Sequence, residues 1–189
     1  MDAGAGNEPD VVAAFDLLEV SPVGSGTGKI GGCRTFTSAL DHFVVTQTGA
    51  FLFTSTFSIS CFFKPTKVDS SHPFVTGEDW ALGVMFGYLS FEASADSLIA
   101  GDVSMETWHH AVVTYNNPNI KLYLDGAEVA SSTLQTTNPG QGSLTIGAFT
   151  DGELNYEGGL DLLYFFDAEL FSADVVALYN GGAGLKYVP

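Results

Sequence analysis

Apolar residues recur along the chain in short runs, many of them alternating with small or polar residues, and the runs are separated by Gly, Pro, Asn and Asp. Alternation sends successive side chains to opposite faces of an extended segment, so these runs predict strands that bury one face. The clearest are VVAAFDLL (11–18), HFVVTQT (42–48), FSISCFF (57–63), WALGVMFGYL (80–89), LSFEAS (89–94), HHAVVTYN (109–116), IKLYLDG (120–126) and LDLLYFF (160–166). Helical punctuation occurs at LFSADVVALYNGG, where Ser172 reads as an N-cap, Ala173, Val176, Ala177 and Leu178 follow at near-helical spacing, and Asn180-Gly181 close the segment. The pattern predicts an all-β, antiparallel sandwich or barrel with one short C-terminal helix. No linker or composition shift divides residues 1–189, so one domain is expected.

The segment WHHAVVTYNNPNIKLYLDGAEVA (108–130) shows how far patterning goes. Neighbouring residues of a strand point to opposite faces, so His109 and His110 cannot converge on one metal. NNPN reads as a tight turn, and Asp125-Gly126 is the residue pair of a type I′ hairpin. The segment is therefore expected to be a three-stranded meander that serves as scaffold, with Trp108 in the core.

The same residues carry a resemblance. Trp108-His109-His110, Val112 to Tyr115 and Leu122 to Gly126 resemble the "W-H-h-a-v-t-y … l-Y-v-D-G" core of laminin-G-like, concanavalin A-like jelly rolls. FSISCFFKPT, LTIGAF and YEGGLDLLYFFDAELFSADVVALYN resemble further motifs of that family, in the same order, over about residues 11–181. The resemblance implies a two-sheet jelly-roll sandwich. The family spans lectins, calcium-dependent pentraxins, adhesion modules, accessory domains of glycosidases and virion surface proteins, so fold alone leaves function open. LYNGGAG resembles phage-encoded versions. From that likeness the expected role is a virion subunit, a capsid decoration, tail or fibre protein on the virion surface. Its partners would be other subunits, with residues 1–10 as a contact arm, and the role is compatible with binding host glycan as well. The alternative is an extracellular, stand-alone lectin or adhesion module binding cell-surface glycan.

Charge narrows the partners. Six Lys and Arg stand against 22 Asp and Glu, a formal charge of −16 at pH 7, which repels nucleic acid and anionic membrane. Residues 1–15 lack a basic n-region and an unbroken apolar core, so no signal-directed export is expected, and no apolar stretch long enough for membrane insertion occurs. Two cysteines, Cys33 and Cys61, fall short of a disulfide framework or a zinc site. GSGTGK fails as a phosphate-binding loop, because Val23 stands at the first glycine position and Ile30 at the hydroxyl position; SPVGSGTGKIGG is expected to be a surface loop.

Enzymatic chemistry has no visible constellation. The alternating carboxylates by which glycosidases on this jelly roll resemble one another are missing, Glu78 and Asp79 face opposite ways, and no G-x-S-x-G elbow occurs. The chain is expected to be non-enzymatic and to require no cofactor. Asp151, Glu153, Asn155 and Glu157 alternate, with Asp161 beyond them, which suits either a calcium site or a solvated acidic loop. Tyr156 and Leu162 stand where an EF-hand needs Gly and a bidentate acid. Calcium, if bound, is expected at Asp151, Glu153 and Asn155. Compared with pentraxins, Asp151 matches one calcium-binding acid, but Phe149 and Thr150 replace its companions, and Cys61 matches one half of a cystine whose other half is missing. Candidate rings for a sugar-binding face are Trp80, Tyr88 and Tyr156, with core packing as the alternative for each.

Overall fold

A computed structural model describes residues 8–9, 16–19, 23–38, 40–45, 55–93, 96–134, 144–149 and 154–186, and in it the alternating runs pair into two antiparallel sheets. One sheet runs in the order β1 (Glu8–Pro9), β2 (Asp16–Glu19), β5 (Phe43–Val45), β14 (Thr145–Ile146), β7 (Ser71–Thr76), β8 (Trp80–Met85), β9 (Tyr88–Ala93) and β10 (Asp96–Asp102). The facing sheet runs β13 (Ala127–Thr133), β12 (Asn119–Leu124), β11 (His109–Asn116), β6 (Thr56–Pro65), β15 (Gly158–Phe166), β4 (Gly32–Phe36) and β3 (Gly24–Thr27). This is the two-sheet sandwich that the alternation and the family resemblance predict.

Strand β6 shows how the core is built. Phe57, Ile59, Cys61 and Phe63 point between the sheets, where they join Phe74, Leu82, Phe91, Val113 and Leu122. Phe62, one residue out of phase, points the other way and packs with Leu162, Tyr164, Phe166 and Leu178. Both faces of β6 are buried because α1 (Ser172–Tyr179) lies across the outside of its sheet, which is why FSISCFF reads as a continuous apolar run. In β15 a bulge falls between Asp161 and Tyr164, with Leu162 at φ 51°. The extra residue changes the parity of the strand, so Leu160 and Leu163 both face the core while Leu162 and Tyr164 both face α1.

Several expectations need correction. The glycine-rich segment expected to be a loop is the hairpin β3–β4, paired from Gly24↔Thr35 to Thr27↔Gly32. WALGVMFGYL is two strands, because Phe86 and Gly87 turn the chain with φ of 49° and 84°. The helix begins after Phe171, not Ser172: the Phe171 N–H donates to Asp174 Oδ2 at 2.9 Å. Its buried side is Val175 and Leu178, and Val176 is exposed. Asn180 ends the helix in the left-handed conformation, φ 50° and ψ 47°, as its residue type predicts. Of the expected strand 11–18, only 16–18 lie among the described residues, and the contact arm expected at 1–10 lies outside them apart from Glu8–Pro9.

Candidate functional site

The histidine pair is scaffold, as its spacing requires. His109 Nδ1 lies 2.8 Å from Asp125 Oδ2, and its Nε2 accepts from the Ser104 N–H at 3.2 Å. His110 points the opposite way, with Nε2 2.9 Å from Ser60 Oγ and the ring stacked on Phe62 at 4.6 Å between centroids. Asp125 also accepts the His110 N–H at 2.8 Å and, at φ 52°, opens the turn with Gly126 at φ 83°. The Asp-Gly turn thus fastens the start of β11.

The outer face of the same sheet, beyond the reach of α1, holds a cavity of about 360 Å³. Three neighbouring strands place Thr35, Gly159 and Lys64 abreast, through the pairs Gly159↔Thr35 and Gly159↔Lys64. Trp108, just before β11, closes the row: a Cβ built on Gly159 would come within 3.0 Å of its Cη2 and 3.3 Å of its Cζ2. The half-buried indole therefore leans over a floor left open by glycine. Thr27, Thr35, Thr37 and Thr66 line the cavity, the Thr37 hydroxyl donating to Asp41 Oδ2 at 3.3 Å, and Lys64 Nζ meets Glu106 Oε2 at 3.2 Å across the wall. Cys33 also lines the groove; burial and the nearby Asp161 carboxylate raise its pKa, so it is a neutral thiol. Cys61 faces the core instead, and both cysteines are free.

The wall formed by β3 is held in place by a buried carboxylate. Asp161 Oδ2 accepts the Lys29 N–H at 2.6 Å and the Ile30 N–H at 3.0 Å, while Oδ1 accepts the Leu162 N–H at 2.8 Å. The turn that fails as a phosphate cradle thus presents its amides to an internal anion. Gly28 permits the approach, since a Cβ there would lie 2.5 Å from Asp161 Oδ2. Burial raises the Asp161 pKa, and the three amides pull it back.

The sequence candidates for a sugar-binding face do not gather here. Tyr156 is fully buried: its ring meets Phe36 and Phe74 edge-on at 6.0 and 5.7 Å, and its hydroxyl donates to Gly159 O at 3.0 Å. It supports the groove floor from beneath and cannot be a surface platform. Trp80 is 5% exposed and stacks on Phe91, with its edge at a second cavity of about 280 Å³ beside Glu78, Asp79 and Glu92. Burial raises the Glu92 pKa. Tyr88 is exposed at the start of β9 and lines neither cavity. Trp108, expected in the core, is half-buried: it packs against the Phe62 cluster on the outer face of its sheet and also lines the groove.

The calcium candidates Asp151 and Glu153 lie outside the described residues, and Asn155 is half-buried with its carbonyl 3.1 Å from His72 Nδ1. Their former companions are engaged elsewhere: Glu157 with Lys67 at 2.5 Å, and Asp161 with the backbone amides. Among the described residues no group of three His, Cys, Asp or Glu could hold a metal ion.

A family profile described as the concanavalin A-like lectin/glucanases superfamily matches residues 36–176. No curated protein sequence matches the chain. Among solved structures, the binding domain of Paraclostridial Mosquitocidal Protein 1 superposes with a TM-score of 0.74 at 16% identity, covering 90% of this chain and 48% of that one. The botulinum neurotoxin serotype D ligand binding domain, solved with N-acetylneuraminic acid, gives 0.72 at 16%, covering 89% and 46%. Domain 4 of AbnA, a GH43 extracellular arabinanase from Geobacillus stearothermophilus solved with arabinotriose, gives 0.68 at 15%, covering 94% and 85%. The chain spans about half the length of the toxin domains and most of the arabinanase domain.

Proposed function

We propose that this chain, which belongs to the concanavalin A-like lectin/glucanases superfamily, is a non-catalytic carbohydrate-binding module whose site is the groove between Trp108 and the β3–β4 hairpin. The observation that carries the reading is the indole held over the Gly159 floor beside threonine hydroxyls and an ion pair. Sugars are recognised by such sites because the apolar face of the ring packs on an aromatic surface while its hydroxyls, which donate and accept, meet polar groups at the edge. Support comes from neighbours of the same fold: one was solved with arabinotriose and one with N-acetylneuraminic acid.

The groove's polar groups are side chains already in place, so no metal is needed to assemble it. The test is calorimetry with an oligosaccharide panel, in EDTA. Binding in the presence of the chelator, weakened at least about tenfold by Trp108→Ala, with the saccharides recovered unhydrolysed, is the expected result; a tenfold loss is about 1.4 kcal/mol, within what a stacked aromatic contributes. Binding untouched by Trp108→Ala would move the site elsewhere, and binding abolished by EDTA would restore calcium to the account.

A further inference from the structure

Glu106 is the feature of the groove that packing does not explain. It is an exposed, non-glycine residue at φ 57°, in the left-handed region. Glycine and asparagine enter that region at little cost, and glutamate does not. Its backbone is held there by its N–H, which donates to Pro65 O at 2.8 Å. The conformation carries its carboxylate to Lys64 Nζ at 3.2 Å, on the groove wall. Lys64 is the sole cationic side chain lining the cavity among the described residues, so the pair leaves the groove without net charge.

Resting on the reading of the groove as a sugar site, we propose that Glu106 sets its ligand class: by engaging Lys64 it makes the groove a receptor for uncharged sugars and turns away those bearing carboxylates. A sugar hydroxyl can donate to Glu106 and accept from Lys64 together, completing the pair without breaking it. A carboxylated sugar can only accept. To reach Lys64 it must displace Glu106 or lie beside it, like charge against like, on a protein that already carries −16. The strained backbone is then the cost of keeping a carboxylate where a glycine would sit more easily.

The experiment titrates the full chain with matched saccharides, galactose oligomers against galacturonic acid oligomers of the same length and the methyl ester of N-acetylneuraminic acid against the free acid, at low salt. Wild type is expected to favour the neutral member of each pair by about tenfold or more. Glu106→Gln is expected to shift the ratio of neutral to carboxylate affinity toward the carboxylate by about tenfold, and the ratio is the readout because Glu106 also contacts the neutral sugar. Glu106→Gly is expected to lose discrimination yet melt no lower than wild type, which separates selectivity from folding. Equal binding of both members by wild type, or an unchanged ratio in Glu106→Gln, overturns the selectivity and leaves the sugar site standing. Failure of every saccharide to bind overturns both.

Discussion

At the scale of single residues, the groove depends on side chains that are missing as much as on those present. Gly159 leaves the space under Trp108, and Gly26, facing Cys33 across the hairpin, keeps that corner open: a Cβ there would lie 3.0 Å from Thr35 Cγ2. Asp161 is the residue that fixes this arrangement, since one carboxylate holds the Lys29, Ile30 and Leu162 amides. Asp161→Ala leaves three donors without their acceptor in a largely buried place and is expected to cost about 2–4 kcal/mol in urea unfolding. Asp161→Asn, which retains an acceptor oxygen for the β3–β4 turn, is expected to cost less than half as much. Because Asn keeps the volume of Asp, equal losses for the two would show that the charge or the second acceptor oxygen, and not a single acceptor oxygen on the turn, holds the hairpin.

At the scale of elements, α1 divides its sheet's outer face into a covered part and the open groove. Val175 packs with Val112 and Tyr123, while Tyr179 stacks over His110 at 6.0 Å and over Phe62 at 6.4 Å. Burial pushes the His110 pKa down to about 4, with the Asp125 charge pulling weakly the other way. Between about pH 6.5 and 4 the unfolded chain binds a proton at His110 that the folded chain refuses. The stabilisation is complete above that window and is lost as pH falls through it, about 2 kcal/mol between pH 7 and 5. Urea titrations at the two pH values are expected to show that loss in wild type and a smaller one in His110→Gln; parallel losses would place the titration elsewhere. The strands around this helix were readable because alternation and burial agree, as in FSISCFF and HHAVVTYN. The β3–β4 hairpin was not, because glycines carry no apolar period and the partner that orders them, Asp161, lies 132 residues from Lys29. The same distance in sequence hid the groove: Thr35, Lys64, Trp108 and Gly159 come from four separate segments. Trp108 reads as core because it precedes a buried strand, and nothing local shows that its own ring stops at the sheet's open face. Tyr156 misleads in the opposite sense, since an acidic neighbourhood surrounds a ring that the core takes up whole.

At the scale of the whole molecule, the expectation of a virion subunit rested on a likeness in LYNGGAG, with a contact arm at residues 1–10 as its consequence, and no described contact or fold neighbour adds to it. The molecule is a sandwich in which, among the described residues, the open groove on one sheet is the place we propose for a ligand. Its charge of −16 gives this assignment a separate test. Self-repulsion of that size opposes compactness, and salt screens it: the Debye length falls from about 30 Å at 0.01 M to about 10 Å at 0.1 M. Melting temperature is therefore expected to rise over that range. A neutral sugar feels no net force from the protein's field, so its affinity is expected to change by less than about twofold while the fold itself becomes firmer. An anionic ligand would respond in the opposite way at low salt, repelled most strongly where screening is weakest, with affinity climbing as salt is added. Parallel melting and calorimetric series across the two salt concentrations distinguish these cases. A neutral-sugar affinity that moved tenfold with salt would mean that unpaired charge, rather than the indole and the hydroxyls beside it, carries recognition in the groove.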